Sequence, residues 1–271
     1  KYLVIENANL EHVTLYQRVQ EKGWQSLTLG TRHAYRERPV KSRALIYPLD
    51  AALVADEPLY LQVVSQTSLS LPVFLASAGQ LPQTLATRDA LAGVFFGILL
   101  ALACYHLVIY FVVHERSYFY FALSSVFYVA FLATIEGFIQ QWFFPDATSD
   151  MLQRIMLCAY CFACFFFYGF LMDVMATSSR LPVTHRILLV LQWGFLLMIP
   201  ALFVFRYGWM GPFSVVYGAL AAGMGVYVTV RLAWAGHVPA RWFVAMWALF
   251  TLASAMRTLR LLGIGPALFV G

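Results

Sequence analysis

Three cysteines spaced Cys158-x-x-Cys161-x-x-Cys164 form the run with the most chemical promise in this 271-residue chain. Positions i and i+3 share a helix face, as a metal or a thiol pair would require, but i+6 has rotated off it and no His or carboxylate lies in the same apolar stretch. Together with Cys104 they sit inside apolar segments. They are therefore read as small packing residues, and no disulfide framework or metal centre is expected. His106 stands alone among apolar neighbours and reads as hydrogen-bonded structure, with proton sensing as the alternative. Arg257 and Arg260 carry more information, because a charge inside a span is costly and faces a partner or a wet cavity. Their i, i+3 spacing puts both on one face, at the expected depth of Glu136 and Arg154. Three readings stay open for this intramembrane charge cluster: snorkelling to the headgroups, an ion pair with Glu136, or part of a ligand cavity. Outside the apolar region, Trp24, Tyr35, Tyr47 and Tyr60 with Arg32, Arg36 and Arg38 could supply the stacking and hydrogen-bonding surface that sugars or acidic small molecules need. Tyr47 and Tyr60 fit half-buried sheet positions equally well. No catalytic motif is found in the segment, and no cofactor is expected.

The elements that must position these residues follow from composition. The chain is 61% hydrophobic and 11% charged, with a mean hydropathy of +0.72, against roughly 45–50% apolar and about 25% charged residues in soluble domains. It is a membrane protein. Residues 1–90 hold nine basic and eight acidic side chains, and residues 91–271 hold nine, all Arg, against five. Two unlike parts meet near Arg88-Asp89, dividing the chain into residues 1–87 and 88–271. The net charge of +5 is too small and scattered for a nucleic-acid surface. Lys1 begins within a strand-like run, so the chain is expected to be a fragment whose N-terminus lies upstream.

In the first part, alternation at Val13-Leu15, Leu27-Leu29 and Leu59-Leu61-Val63 has period two, and turn residues such as Asn7-Ala-Asn9, Gly30, Pro48 and Pro72 separate the runs. Six or seven short antiparallel strands are expected, forming part of an all-β sandwich or jelly roll. In the second part, six windows are long and apolar enough to span a bilayer: Leu91–Val113, Tyr118–Ile135, Ile155–Met172, Ile187–Phe205, Phe213–Leu232 and Trp242–Leu262. A seventh is expected to start at Ala267 and be cut off at Gly271. The fold class is thus an α-helical membrane bundle of seven transmembrane helices, the last truncated, behind a partial β-domain. Gly93-x-x-x-Gly97-x-x-x-Ala101 reads as a packing stripe within the bundle, with a homodimer seam as the alternative.

Arg116, Arg180, Arg186, Arg231 and Arg241 fall on one side of the expected bundle and Arg88, Arg154 and Arg206 on the other, which favours the first set in the cytoplasm. The sheet part is then outside, and an odd number of spans carries the chain into the cytoplasm.

Several short motifs, in order, resemble one family, the bacterial seven-transmembrane receptors with diverse intracellular signalling modules. In the sheet part these are Trp24-x-x-Leu-x-Leu-Gly30, Arg38-Pro39, Tyr47-Pro48-Leu49, Leu59-Tyr-Leu-Gln-Val63 and Leu71-Pro72. In the membrane part they are Gly93-x-x-x-Gly97-Ile98-Leu99-Leu100, Tyr105-His106-Leu107, Glu115-Arg-Ser-Tyr118, Glu136-Gly137 and Arg260-Leu-Leu-Gly263. His106 departs from the Asn of many members. The resemblance implies a multi-pass receptor of the bacterial inner membrane with a periplasmic jelly-roll sensor, an unknown small-molecule or carbohydrate ligand, and a cytoplasmic output: a diguanylate cyclase first, a histidine kinase next. A membrane adaptor acting on a partner signalling protein is the alternative. A transporter is disfavoured because only Pro200 interrupts a span. Membrane lipid is the one partner that composition alone requires.

Overall fold

The computed structural model describes residues 1–20, 23–50, 58–65 and 71–261, with the side chains of residues 250 and 253–261 excepted. The seventh span expected from Ala267, and the side chains of Arg257 and Arg260, lie outside the described residues.

Six short strands come first among the described residues: β1 (Tyr2–Ile5), β2 (His12–Val19), β3 (Gly23–Leu29), β4 (Leu45–Pro48), β5 (Tyr60–Val64) and β6 (Val73–Ala76). They form two antiparallel three-stranded sheets, in the orders β4-β1-β6 and β3-β2-β5. Successive side chains leave a strand on opposite faces, and the first sheet uses both. Leu3, Ile5, Leu45 and Tyr47 pack on Val13, Leu15 and Leu29 of the second sheet. Val4, Ile46 and Ala76 turn the other way, onto Leu81 and Leu85. Those two leucines open the first helix, so the sheet pair is seated on the membrane region through a hydrophobic core of its own.

Eight α-helices follow among the described residues: α1 (Leu81–Val113), α2 (Arg116–Ile135), α3 (Phe138–Trp142), α4 (Ser149–Val174), α5 (Thr177–Arg180), α6 (Pro182–Val204), α7 (Tyr207–Trp234) and α8 (Val238–Leu261). Among the described residues, α1, α2, α4, α6 and α7 are long and apolar enough to cross a membrane. The sixth expected window falls on α8. At 33 residues α1 is about 50 Å long, well beyond the ~30 Å hydrocarbon core; its first turns are those packed against the sheet. The stretch between the second and third expected windows, residues 136–154, is partly helical. It contains α3, and α4 starts at Ser149 behind Thr148, whose side chain accepts from the Met151 amide at 3.4 Å. Hydropathy finds only the apolar middle of a helix. The outer turn of α4 is polar because it meets the sheet domain.

Half of the most apolar window of α4 is buried, against 6% of that of α1, which makes α4 the axis of the bundle. Around it lies one core that includes Cys161, Leu171, Leu188, Phe195, Ala221 and Val228. Cys161 is buried there, with Cys158 and Cys164 half-buried beside it. Among the described residues no group of three His, Cys, Asp or Glu side chains could hold a metal ion. His106 bonds the Leu102 carbonyl through Nδ1 at 2.7 Å and packs on the Phe121 ring. Among the described residues, a Cβ added at Gly93 or Gly97 of the expected packing stripe meets nothing within 4 Å. Gly218 of α7 and Gly194 of α6 are glycines that contact requires, because the Tyr160 hydroxyl of α4 and the Tyr217 hydroxyl of α7 lie where their Cβ atoms would be.

Gly218→Ala should therefore force the Tyr160 ring aside and lower stability by about 1–3 kcal/mol, the usual cost of overpacking. Gly223→Ala, in open space on the same helix, should leave it unchanged or slightly raised. Thermal unfolding in detergent compares the two.

Candidate functional site: the sheet–bundle junction

Arg43, two residues before β4, is the centre of the junction. Its Nε donates to Asp89 Oδ1 of α1 at 2.7 Å and its Nη1 to Glu136 Oε2, at the end of α2, at 2.8 Å. The guanidinium lies 4.5 Å over the Phe138 ring of α3. The Arg43 side chain is only 13% exposed, whereas both carboxylates are about half exposed. One arginine fork thus holds three helical segments against the sheet, a geometry that the point charge of lysine would not reproduce. The chain can turn from α2 into α3 under the sheet because Gly137 has φ +82, where a Cβ would press on Ala8 at 2.8 Å.

Two further polar contacts flank this one. Arg38, 3% exposed, donates through Nη1 to the carbonyls of Ser42 at 2.9 Å and Arg43 at 3.1 Å, and through Nη2 to Gln140 Oε1 of α3 at 2.9 Å. Burial lowers its pKa to about 10, so it remains a cation at neutral pH, neutralised by carbonyl dipoles and the Tyr35 ring 5.1 Å away. Glu11, 2% exposed, accepts from Arg32 Nε at 3.0 Å and Nη2 at 2.8 Å on one oxygen, and from Gln153 Nε2 of α4 at 2.9 Å on the other. Tyr35 N–H donates to the Pro145 carbonyl at 2.8 Å, and Arg88 of α1 pairs with Glu6. Side chains thus tie α1, α2, α3 and α4 to the sheet.

The residues proposed as a ligand surface separate into two groups. Tyr47 is fully buried, its hydroxyl donating to the Val13 carbonyl at 2.8 Å, and burial pushes its pKa up; it is a core residue, since β4 turns odd-numbered side chains toward the second sheet. Tyr35 is buried as well, Arg32 is held by Glu11, and Arg36 pairs with Asp146 of the α3–α4 loop at 3.4 Å. These four belong to the core or the junction. Trp24 and Tyr60 differ: they are 52% and 54% exposed on the outer face of β3-β2-β5, with ring centroids 5.6 Å apart. Between them Tyr16 donates to Gln62 Oε1 at 3.0 Å. In the charge cluster, Glu136 binds Arg43, and Arg154 binds Asp150 at 2.8 Å and the Leu202 carbonyl. Arg43, Glu11, Asp89, Gln140 and Gln153 are the residues that sequence reasoning passed over. The one local signal was a lone acid, Glu11, set between Leu10 and the start of an apolar-alternating strand.

Arg32→Gln should leave the Glu11 carboxylate undercompensated and cost about 2–3 kcal/mol, less than the ~3–5 of a fully buried pair because half of the Arg32 side chain is in solvent. The double variant Glu11→Gln, Arg32→Gln should be more stable than Arg32→Gln alone, as read by thermal unfolding in detergent.

The family comparisons divide the chain where the junction does. The model described as 7TMR-DISM extracellular 2 matches residues 1–77, and the one described as 7TM diverse intracellular signalling matches residues 88–270. No curated protein and no solved structure matches. The sheet domain is accordingly extracellular and the helices form a multi-pass membrane domain. With sensor, junction and bundle in the order these two models require, the chain belongs to the family of seven-transmembrane receptors with diverse intracellular signalling modules.

Proposed function

We propose that this receptor passes a signal from a small-molecule or carbohydrate ligand outside the bacterial inner membrane to a cytoplasmic diguanylate cyclase carried by the full-length chain, with a histidine kinase as the next output. The observation that carries the reading is the junction itself. Arg43, Arg38 and Glu11 bind the sensor to α1, α2, α3 and α4 through side chains rather than a flexible linker, so a change in sheet position must shift helix positions. The exposed Trp24–Tyr60 face supports the ligand class: paired aromatic rings beside Tyr16 and Gln62 offer apolar stacking and hydrogen bonding together. A ligand acts only by its differential affinity for two arrangements of the bundle, and Arg43 would hold one of them.

Membranes carrying the full-length protein should form cyclic di-guanylate from GTP. Arg43→Gln should change that rate at unchanged protein level, whereas Glu37→Gln, an exposed side chain away from the Trp24–Tyr60 face, should not. Absence of cyclase activity with phosphate incorporation from ATP would transfer the output to a kinase. Absence of both, with binding to a separate signalling protein, would favour the adaptor.

A further inference from the structure

Where β2 begins, the backbone of the sheet domain brings two histidines together. Thr31 N–H donates to the Leu10 carbonyl at 2.9 Å and Arg32 N–H to the Glu11 carbonyl at 3.1 Å, while His33 N–H closes a turn onto the Gly30 carbonyl at 3.2 Å. Gly30, at φ +144, permits this approach, because a Cβ there would run into the Glu11 carbonyl. His33 is thereby set over His12. The ring centroids are 5.4 Å apart, and His33 Nε2 lies 3.4 Å from His12 Nδ1. Both residues are half-buried. The other nitrogen of His12, Nε2, is 3.5 Å from Thr14 Oγ1, and that hydroxyl is bonded in turn to Thr28 Oγ1 at 2.9 Å. Local sequence patterns do not reveal the pair, since 21 positions separate its members.

We propose that His12 Nδ1 and His33 Nε2 bind a zinc ion, with water completing its shell. Their separation of 3.4 Å is long for a hydrogen bond, which has its donor and acceptor about 2.7–3.2 Å apart. It is the spacing of two ligands on one tetrahedral ion: at Zn–N distances of about 2.0–2.1 Å, imidazole nitrogens at the tetrahedral angle stand about 3.3–3.4 Å apart. Neighbouring ligands of a square-planar ion would stand only about 2.9 Å apart. Small turns about χ2, a torsion that is broad in histidine, bring both lone pairs onto the ion. Thr14 gives His12 the support that metal-bound imidazoles have, since an Nε2–H directed at its hydroxyl fixes the ring and leaves Nδ1 unprotonated. Calcium and magnesium take oxygen ligands instead. The neighbouring Arg32 does not repel the ion strongly, because its charge is matched by Glu11. Glu11 and Arg32 immediately precede the two ligands in the chain, and Glu11 also accepts from Gln153 of α4. The ion would thus stand one residue away from a bond that joins sheet to bundle.

The test uses full-length protein in detergent, without a polyhistidine tag, stripped of metal and titrated with zinc chloride against a chromophoric zinc chelator. His12→Gln or His33→Gln should weaken zinc binding roughly a hundredfold, and Thr14→Val about tenfold, the range over which supporting partners alter metal affinity. His114→Asn, at the other end of α1, should leave it unchanged. An excess of magnesium or calcium should not displace the zinc. Thermal unfolding of metal-free protein confirms that each variant folds. Absence of zinc binding, binding unmoved by both histidine variants in folded protein, or displacement by magnesium would each overturn the proposal. Because zinc is read without the organic ligand or the output activity, failure here leaves the signalling reading untouched, and the converse also holds.

Discussion

A single guanidinium shared between two domains is the contact around which the molecule is organised. Arg43 belongs to the sheet by sequence and to the membrane by its partners, Asp89, Glu136 and Phe138. Its position requires much of the rest. The glycine turn at Gly137 brings Glu136 and Phe138 to the same point, and α1 must continue above the membrane for Asp89 to reach it. Arg38 and Glu11 then secure the two flanks with bonds that are nearly free of water. Exposed ion pairs contribute little, but here the arginine is largely enclosed, so the carboxylates hold a defined geometry.

Besides the core between its two sheets, the sheet pair has a second one that it shares with the helix it sits on. Val4, Ile46 and Ala76 face Leu81 and Leu85 rather than solvent, so burial on both faces of the first sheet is completed only by α1. Small domains bury a smaller fraction of their surface than large ones. The contribution of α1 makes up the difference and couples the stability of the sheet to its attachment.

Strands and spans were legible in the sequence because both are written in periods of a few residues. Period two marked β2, β3 and β5, and long apolar windows marked α1, α2, α4, α6 and α7. The junction was not legible, because its pairs join residues 46, 93 and 142 positions apart and no local pattern encodes such distances. Glu136 stands out in the sequence as a charge next to an apolar window, but its partner among the described residues, Arg43, lies 93 positions away. Tyr47 and Tyr60 look alike in sequence, each in an apolar run. Both lie on edge strands, and they separate by the face they leave from: Tyr47 of β4 enters the core between the sheets, whereas Tyr60 of β5 stands on the outer face opposite Tyr16. The outer turn of α4 was hidden by its polarity, which reflects a protein neighbour instead of water.

No proline interrupts α1 beyond its first turn, and this gives the helix a mechanical property. A straight rod of about 50 Å, fixed in the sheet core at Leu81 and Leu85 and pinned at Asp89, behaves as a lever with its fulcrum near the membrane surface. A tilt of roughly 5° about the upper end displaces the lower end by about 4 Å, close to the height of one helical turn. Helix shifts of one to a few ångströms are the size that switches interfaces between two packed states. Sub-ångström rearrangement where the sheet meets Arg43 would therefore emerge amplified at Val113, on the far side of the bilayer.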